Sequence, residues 1–241
     1  MKFLSLYLRA PMQSWGASSQ FGDRGTLDAP TRSGLLGLLA AACGVDKNDE
    51  ASERAWLARA AALSLSVFAF RRGDRMTDYH TVGARYDKED PWQRRMIPLT
   101  AETGKPKNNA TLTSRAYLAD SVFGAILSGD DSLVAEMAAA LANPVWGVWL
   151  GRKSCVPTEP LLAGVFDSAE EAKASLAARF RASQERGGSR RGDPTDGAPA
   201  FLVEETLPSD ASDTVLDIPV SFARREYHAR PVRQVLPEGG P

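Results

Sequence analysis

Cysteine and histidine are nearly missing from this sequence of 241 residues: Cys43 and Cys155 are its two cysteines, His80 and His228 its two histidines. The cysteines lie far apart and outside any CxxC, which excludes a disulfide framework and a cysteine-based zinc site and suits a reducing, cytoplasmic setting. So few histidines exclude a His-rich metal centre. Neither HExxH nor Gly-x-Ser-x-Gly occurs, so the common hydrolase templates fail. Long hydrophobic runs are missing too. The longest, residues 34–45, falls short of the roughly 18 residues of a spanning helix, and residues 1–9 are too short for a secretory core. No metal, no cofactor and no membrane partner is expected.

An excess of charge is also missing. Lys and Arg number 29 against 30 for Asp and Glu, a net charge of −1, so any nucleic-acid contact must rest on a local patch. The charges are sorted along the chain: residues 224–233 carry four Arg and one Glu, whereas residues 204–217 carry five carboxylates and no base. Arg outnumbers Lys 22 to 7, which suits phosphate forks and base stacking because guanidinium is planar and weakly hydrated. A GC-rich genome would leave the same bias.

What is present reads as a folded α+β chain, with 43% hydrophobic and 24% charged residues. Residues 2–9 (KFLSLYLR) alternate as a strand. Residues 10–30 form a long polar loop, a length that is usually functional or disordered. Thr31 caps a helix over 32–43 that Gly44 ends. A second helix is expected over 50–62 and a strand over 63–72. Residues 73–112 are polar, contain Pro91, Pro98 and Pro106, and read as an inserted hairpin or excursion. A strand over 115–127, a helix over 131–141 and a short aromatic strand over 145–150 follow. Strand, helix, strand, strand, helix, strand is the ferredoxin-like order, shared by RRM-like sheets. After it come a helix over 169–181 begun at Ser168, a flexible Gly/Arg-rich loop at 183–199, and strands over 201–206 and 215–222 that would pair in a small C-terminal unit. The division is 1–155, carrying the insertion, and 156–241.

The string GVWLGRKS at 147–154 resembles a phosphate loop but has three residues between its glycines where four are needed, and Arg152 stands between Gly151 and Lys153, so it is no Walker A loop. What survives is a turn whose backbone N–H groups, with Arg152 and Lys153, could hold a phosphate oxyanion. An ordinary solvated basic loop reads the same. Tyr79 and His80 stand side by side in the insertion, and metal-independent RNA cleavage needs only a general acid and base near a 2′-hydroxyl; stacking or plain hydrogen bonding by these residues is the alternative. Gln13, Trp15, Phe21 and Arg24 suit single-stranded recognition, or a loop whose aromatics simply bury.

PMQSWG at 11–16, PTRSGLLGLL at 30–39, DYHTV at 78–82, LGRKSC at 150–155 and FARREY at 222–227, in this order, resemble the CasD subunit family of Cascade, the type I-E CRISPR surveillance complex. The resemblance implies a ferredoxin-like RAMP domain with a β-hairpin thumb at 73–112 and a glycine-rich loop at 150–155. It further implies a non-catalytic RNA-binding subunit that holds the 5′ handle of the CRISPR RNA. Its partners would be the backbone subunit CasC, the large subunit CasA and, through the complex, target DNA. The RNA contacts expected are Gln13, Trp15, Arg24, Arg32, Ser33, Tyr79, His80, Arg85, Arg115, Gly151, Arg152, Lys153, Arg224 and Arg225. The alternatives are a metal-independent endoribonuclease using Tyr79 or His80 with a basic residue, an activity that a sister subtype's related subunit has, and a purely protein-binding scaffold. Val156 interrupts the family pattern after Cys155, and no family string is found in 183–199 or in the tail after 233, so the resemblance implies no role for them.

Overall fold

The computed structural model describes residues 1–16, 19–20, 22–82, 87, 89–97, 99–100, 103–105, 110–188, 193–194 and 197–236. The strands are β1 (Lys2–Arg9), β2 (Met12–Gln13), β3 (Ser19–Gln20), β4 (Asp23–Arg24), β5 (Ser64–Arg71), β6 (Asp74–Val82), β7 (Thr111–Ala119), β8 (Val122–Gly129), β9 (Leu162–Phe166), β10 (Phe201–Glu205), β11 (Asp213–Ser221) and β12 (Glu226–Val235). The helices are α1 (Arg32–Ala42), α2 (Glu50–Ala60), α3 (Pro91–Arg94), α4 (Asp131–Ala142) and α5 (Ala169–Ser183).

In β1, alternation puts Leu4, Leu6 and Leu8 on one face and Tyr7 on the other, and all four are fully buried. A strand buried on both faces is central. Accordingly β1 pairs antiparallel with β8, Lys2 opposite Gly129 through Arg9 opposite Val122, and with β9 on its other side. The sheet has seven strands in the order β11-β12-β10-β5-β8-β1-β9, antiparallel throughout. Leu35 and Leu39 of α1, Trp56 of α2 and Leu133 and Met137 of α4 pack on the Leu4 face. Leu176 and Phe180 of α5 pack on the Tyr7 face, with Phe180 stacked on Phe70 at 5.2 Å between centroids. Burial of each such side chain is worth roughly 1.5–3 kcal/mol.

The helices begin where the caps predict. Thr31 Oγ1 accepts the Gly34 N–H at 3.1 Å, and Ser168 Oγ accepts the Glu171 N–H at 3.2 Å. Three strand expectations are corrected. The aromatic run 145–150 is not a strand: the N–H groups of Val145 and Trp146 donate to Ala42 and Ala41 at 3.0 and 3.3 Å, so the run docks on the open C-terminal carbonyls of α1. The edge strand beside β1 is β9 instead. The alternating stretch 115–127 is two strands, because Asp120 adopts φ 56° and turns β7 out of the main sheet before β8 begins. The two strands expected to pair alone at the C-terminus are separated by β12, which pairs with both β10 and β11. The chain beyond residue 155 thereby contributes β9 to β12 to the same sheet as β1.

The insertion opens with a hairpin in which β6 and β7 pair in unbroken register, Asp74 opposite Ala119 through Val82 opposite Thr111. Gly73 starts it at φ +72°, and a Cβ there would stand 2.3 Å from the Ala119 carbonyl oxygen. A second sheet forms around β7, in the order β2-β7-β4-β3 with β6 also on β7. Within 183–199, Asp193 forms an ion pair with Arg71, and Gln184 donates to the Pro194 carbonyl at 3.2 Å, so the described part of this stretch is anchored.

Candidate functional site

Buried polar contacts bring distant segments to one place. Asp217 accepts two bonds from Arg230, at 2.8 and 2.7 Å, and the backbone N–H of Arg32 at 2.7 Å. Glu53 accepts from the Ser221 hydroxyl and from the N–H groups of Phe222 and Ala223. These contacts hold the β11–β12 turn against α1 and α2. Tyr227, at the start of β12, consequently stands beside Ser33 at the start of α1. From the other side, the Ser14 N–H donates to Leu150 at 3.1 Å and the Leu27 N–H to Trp15 at 2.7 Å. The result is a cleft of about 290 Å³ among Ser14, Arg24, Ser33, Gly151, Arg152 and Tyr227.

Five residues expected to contact RNA therefore meet in one cleft: Trp15, Arg24, Ser33, Gly151 and Arg152. Their roles differ from expectation. Trp15 is 1% exposed, and its indole N–H donates to Gln13 Oε1 at 3.1 Å, so it is a wall of the cleft with no face left for a base. Gln13 is equally buried, donating to the Leu8 and Ser121 carbonyls at 3.0 and 2.9 Å. Arg32 donates to the Ala60 and Ala61 carbonyls at 3.2 and 3.1 Å. Burial lowers the pKa of its guanidinium, with Glu205 opposing. Gln13, Trp15 and Arg32 act inside the fold.

Gly151 has φ +97°, and a Cβ there would stand 1.7 Å from the Ser14 carbonyl oxygen. The close approach that demands glycine is thus to the chain itself. Arg152 donates to the carbonyls of Ala116 at 2.8 Å and Arg24 at 2.7 Å and lies over the Tyr117 ring. It ties the loop to β7 and β4 while still lining the cleft. Arg24 and Lys153 are exposed and make no side-chain ion pair among the described residues. Arg224 and Arg225 sit exposed in the β11–β12 turn. Arg224 bonds to Glu226 and Glu50, and those bonds raise its pKa. Arg225 holds φ 57°.

The hairpin residues gather elsewhere. Tyr79 is exposed on one face of β6, while His80 on the other bonds Asp78 at 2.6 Å and shares a second cavity, of about 400 Å³, with Arg115. Period-two alternation separates Tyr79 from His80 although they are neighbours in sequence. Arg85 lies outside the described residues. Tyr227 of the first cleft is an addition to the expected contacts whose signal is its place at the end of the FARREY string, whereas Tyr117 and Ser154 of the second cavity carry no signal in sequence beyond lying near basic residues.

Exposed cations around a cleft rimmed by glycine backbone suit a polyanion, with hydroxyls of Ser33 and Tyr227 to orient it. Among the described residues no group of three or more His, Cys, Asp or Glu could hold a metal ion, and no helix is long and apolar enough to cross a membrane. Residues 3–233 match the protein family described as CRISPR-associated protein (Cas_Cas5). The chain belongs to the Cas5 family. A curated relative, the CRISPR system Cascade subunit CasD of Escherichia coli (strain K12), is 33% identical over 184 residues, covering 72% of this chain and 75% of the relative. Among solved structures, this Cas5 chain is similar to one of a CRISPR RNA-guided surveillance complex, with TM-score 0.70, 32% identity, and 97% and 89% of the two chains covered. It is also similar to one described as a Cas protein, with TM-score 0.59, 26% identity, and 98% and 95% covered.

Proposed function

We propose that this chain is a non-catalytic, RNA-binding subunit of a type I-E Cascade complex in the cytoplasm. In that role it holds the 5′ handle of the CRISPR RNA, contacts CasC and CasA, and meets target DNA only through the complex. The observation that carries this reading is the cleft itself: Arg24 lines it with no side-chain ion pair among the described residues, exposed Lys153 follows its lining residue Arg152, and Tyr227 and Ser33 line it too. The relative's name supplies the complex. In this reading the strand order β5-β8-β1-β9 is that of a ferredoxin-like, RRM-like RAMP domain, and the β6–β7 hairpin is its thumb.

Geometry narrows the endoribonuclease reading without removing it. Tyr79 and His80 point to opposite faces of the hairpin, so they do not act on one phosphodiester together, and His80 is the one that shares a cavity with a basic residue, Arg115. Binding of single-stranded RNA across a salt series tests the proposal, since each neutralised phosphate contributes about −0.7 to the slope of log affinity against log salt. Arg24→Ala and Lys153→Ala should each flatten that slope by about this amount. A slope near zero for the unaltered chain would leave only the protein-binding scaffold.

A further inference from the structure

We propose that the cavity between the β6–β7 hairpin and the 151–154 loop is a nucleobase pocket that takes one unstacked guanine of the bound strand. This rests on the RNA-binding reading above and adds to it a base preference and a place.

The pocket follows from register. Alternation along β6 puts Met76, Asp78 and His80 on one face, and the ladder sets Tyr117 opposite Met76, Arg115 opposite Asp78 and Thr113 opposite His80. Met12 from β2 and Ser154 from the loop complete a cavity of about 400 Å³. Met12, Met76 and Tyr117 offer polarizable and aromatic surface for a flat ring. Arg152 lies 4.6 Å over Tyr117 and also lines the first cleft. Arg152 of the first cleft and Tyr117 of the second cavity are thus in direct contact, which makes the two cavities neighbours.

The polar groups select the base. Asp78 does not pair with the Arg115 opposite it; its carboxylate is taken by His80 Nε2 at 2.6 Å. His80 fixes the carboxylate in place and leaves it with further acceptor capacity, while Arg115 keeps its N–H fork without an ion pair among the described residues. A fixed acceptor beside a free bidentate donor complements guanine, whose N1–H and N2 amino group donate and whose O6 and N7 accept an arginine fork. Adenine sets its amino group where guanine has O6, against a donor. Uracil has no amino group for Asp78. Cytosine meets the same pair with one ring in a cavity with room for two.

The test uses the full chain and short oligouridine RNAs carrying a single guanosine stepped through each position, with inosine, adenosine and cytidine in parallel sets, read by fluorescence anisotropy. Guanosine at one position should tighten binding by about 10- to 100-fold over adenosine, the usual discrimination of a bidentate contact. Inosine, lacking the N2 amino group, should fall between. Asp78→Asn and Arg115→Met should each remove the preference, with thermal melting checked for both. Arg24→Ala should weaken all probes alike and keep it. If plain oligouridine binds and no substituted position matters, the pocket is overturned and the RNA-binding reading stands; if no probe binds, both fall. A preference for cytidine, or a guanosine preference that survives both substitutions, overturns the assignment.

Discussion

Arg152 stacks its guanidinium over the Tyr117 ring, 4.6 Å from the centroid, and so fastens the loop after Leu150 to the β6–β7 hairpin. The neighbouring Lys153 is exposed and makes no such contact among the described residues. Two adjacent basic residues of one motif thus divide the work: one builds the cleft and the other is left for whatever enters it.

Arg152→Ala should lower stability by about 2–4 kcal/mol, because the charged bonds to the Ala116 and Arg24 carbonyls and the ring contact are lost together. For a chain of this size that is a fall of roughly 5–15 °C in melting temperature. Lys153→Ala should stay within about 0.5 kcal/mol of the parent in urea denaturation while weakening RNA binding. An Arg152→Ala protein with unchanged melting and lost RNA affinity would make Arg152 a direct phosphate ligand instead.

Gly151→Ala should be severe even without RNA. The new Cβ would meet the Ser14 carbonyl at 1.7 Å, and φ +97° is strained for any side chain. A loss of more than about 2 kcal/mol is expected in chemical denaturation, from strain and local displacement together. A mild effect on folding with a large one on RNA affinity would return the close approach to the nucleic acid.

Arg230→Ala should cost about 3–5 kcal/mol, since it strands a carboxylate in the interior. Asp217 is 1% exposed, and of its partners only the Arg32 N–H would remain. A double substitution, Asp217→Leu with Arg230→Met, should recover most of the loss. Equal stability of the single and double variants would show that the pair does not hold β12 against α1.

Incubated with precursor repeat RNA and EDTA, the chain should leave it intact. Site-specific cleavage that disappears in His80→Ala would make the protein an endoribonuclease with His80 in catalysis.

Burial raises the pKa values of both Cys43 and Cys155, so both thiols should stay protonated at neutral pH. Cys155 is 0% exposed and should react with a thiol reagent only after unfolding, while half-buried Cys43 reacts slowly. Rapid modification of Cys155 in the native chain would mean that the 150–155 loop opens.

Four of the five helices, the caps of α1 and α5, most of the alternating core strands and the family strings could be read along the chain, and the insertion could be read as a hairpin or an excursion. Each is written in local terms: a cap hydroxyl three residues ahead of the N–H it accepts, a period of two or of 3.6, a run of fixed residues. Partnership and exposure could not be read that way. Residues 145–150 and 162–166 both suit a strand, and which one borders β1 depends on where free backbone groups lie after the sheet has assembled. Arg32, Arg152 and Arg224 look alike in sequence; one is buried under α2, one is clamped on a ring, and one lies in the open turn between β11 and β12. Residue type alone determined that an arginine could serve a phosphate. The tertiary structure decided which arginines were still free to do so, because desolvation and the carbonyls left by distant segments set what each guanidinium meets first.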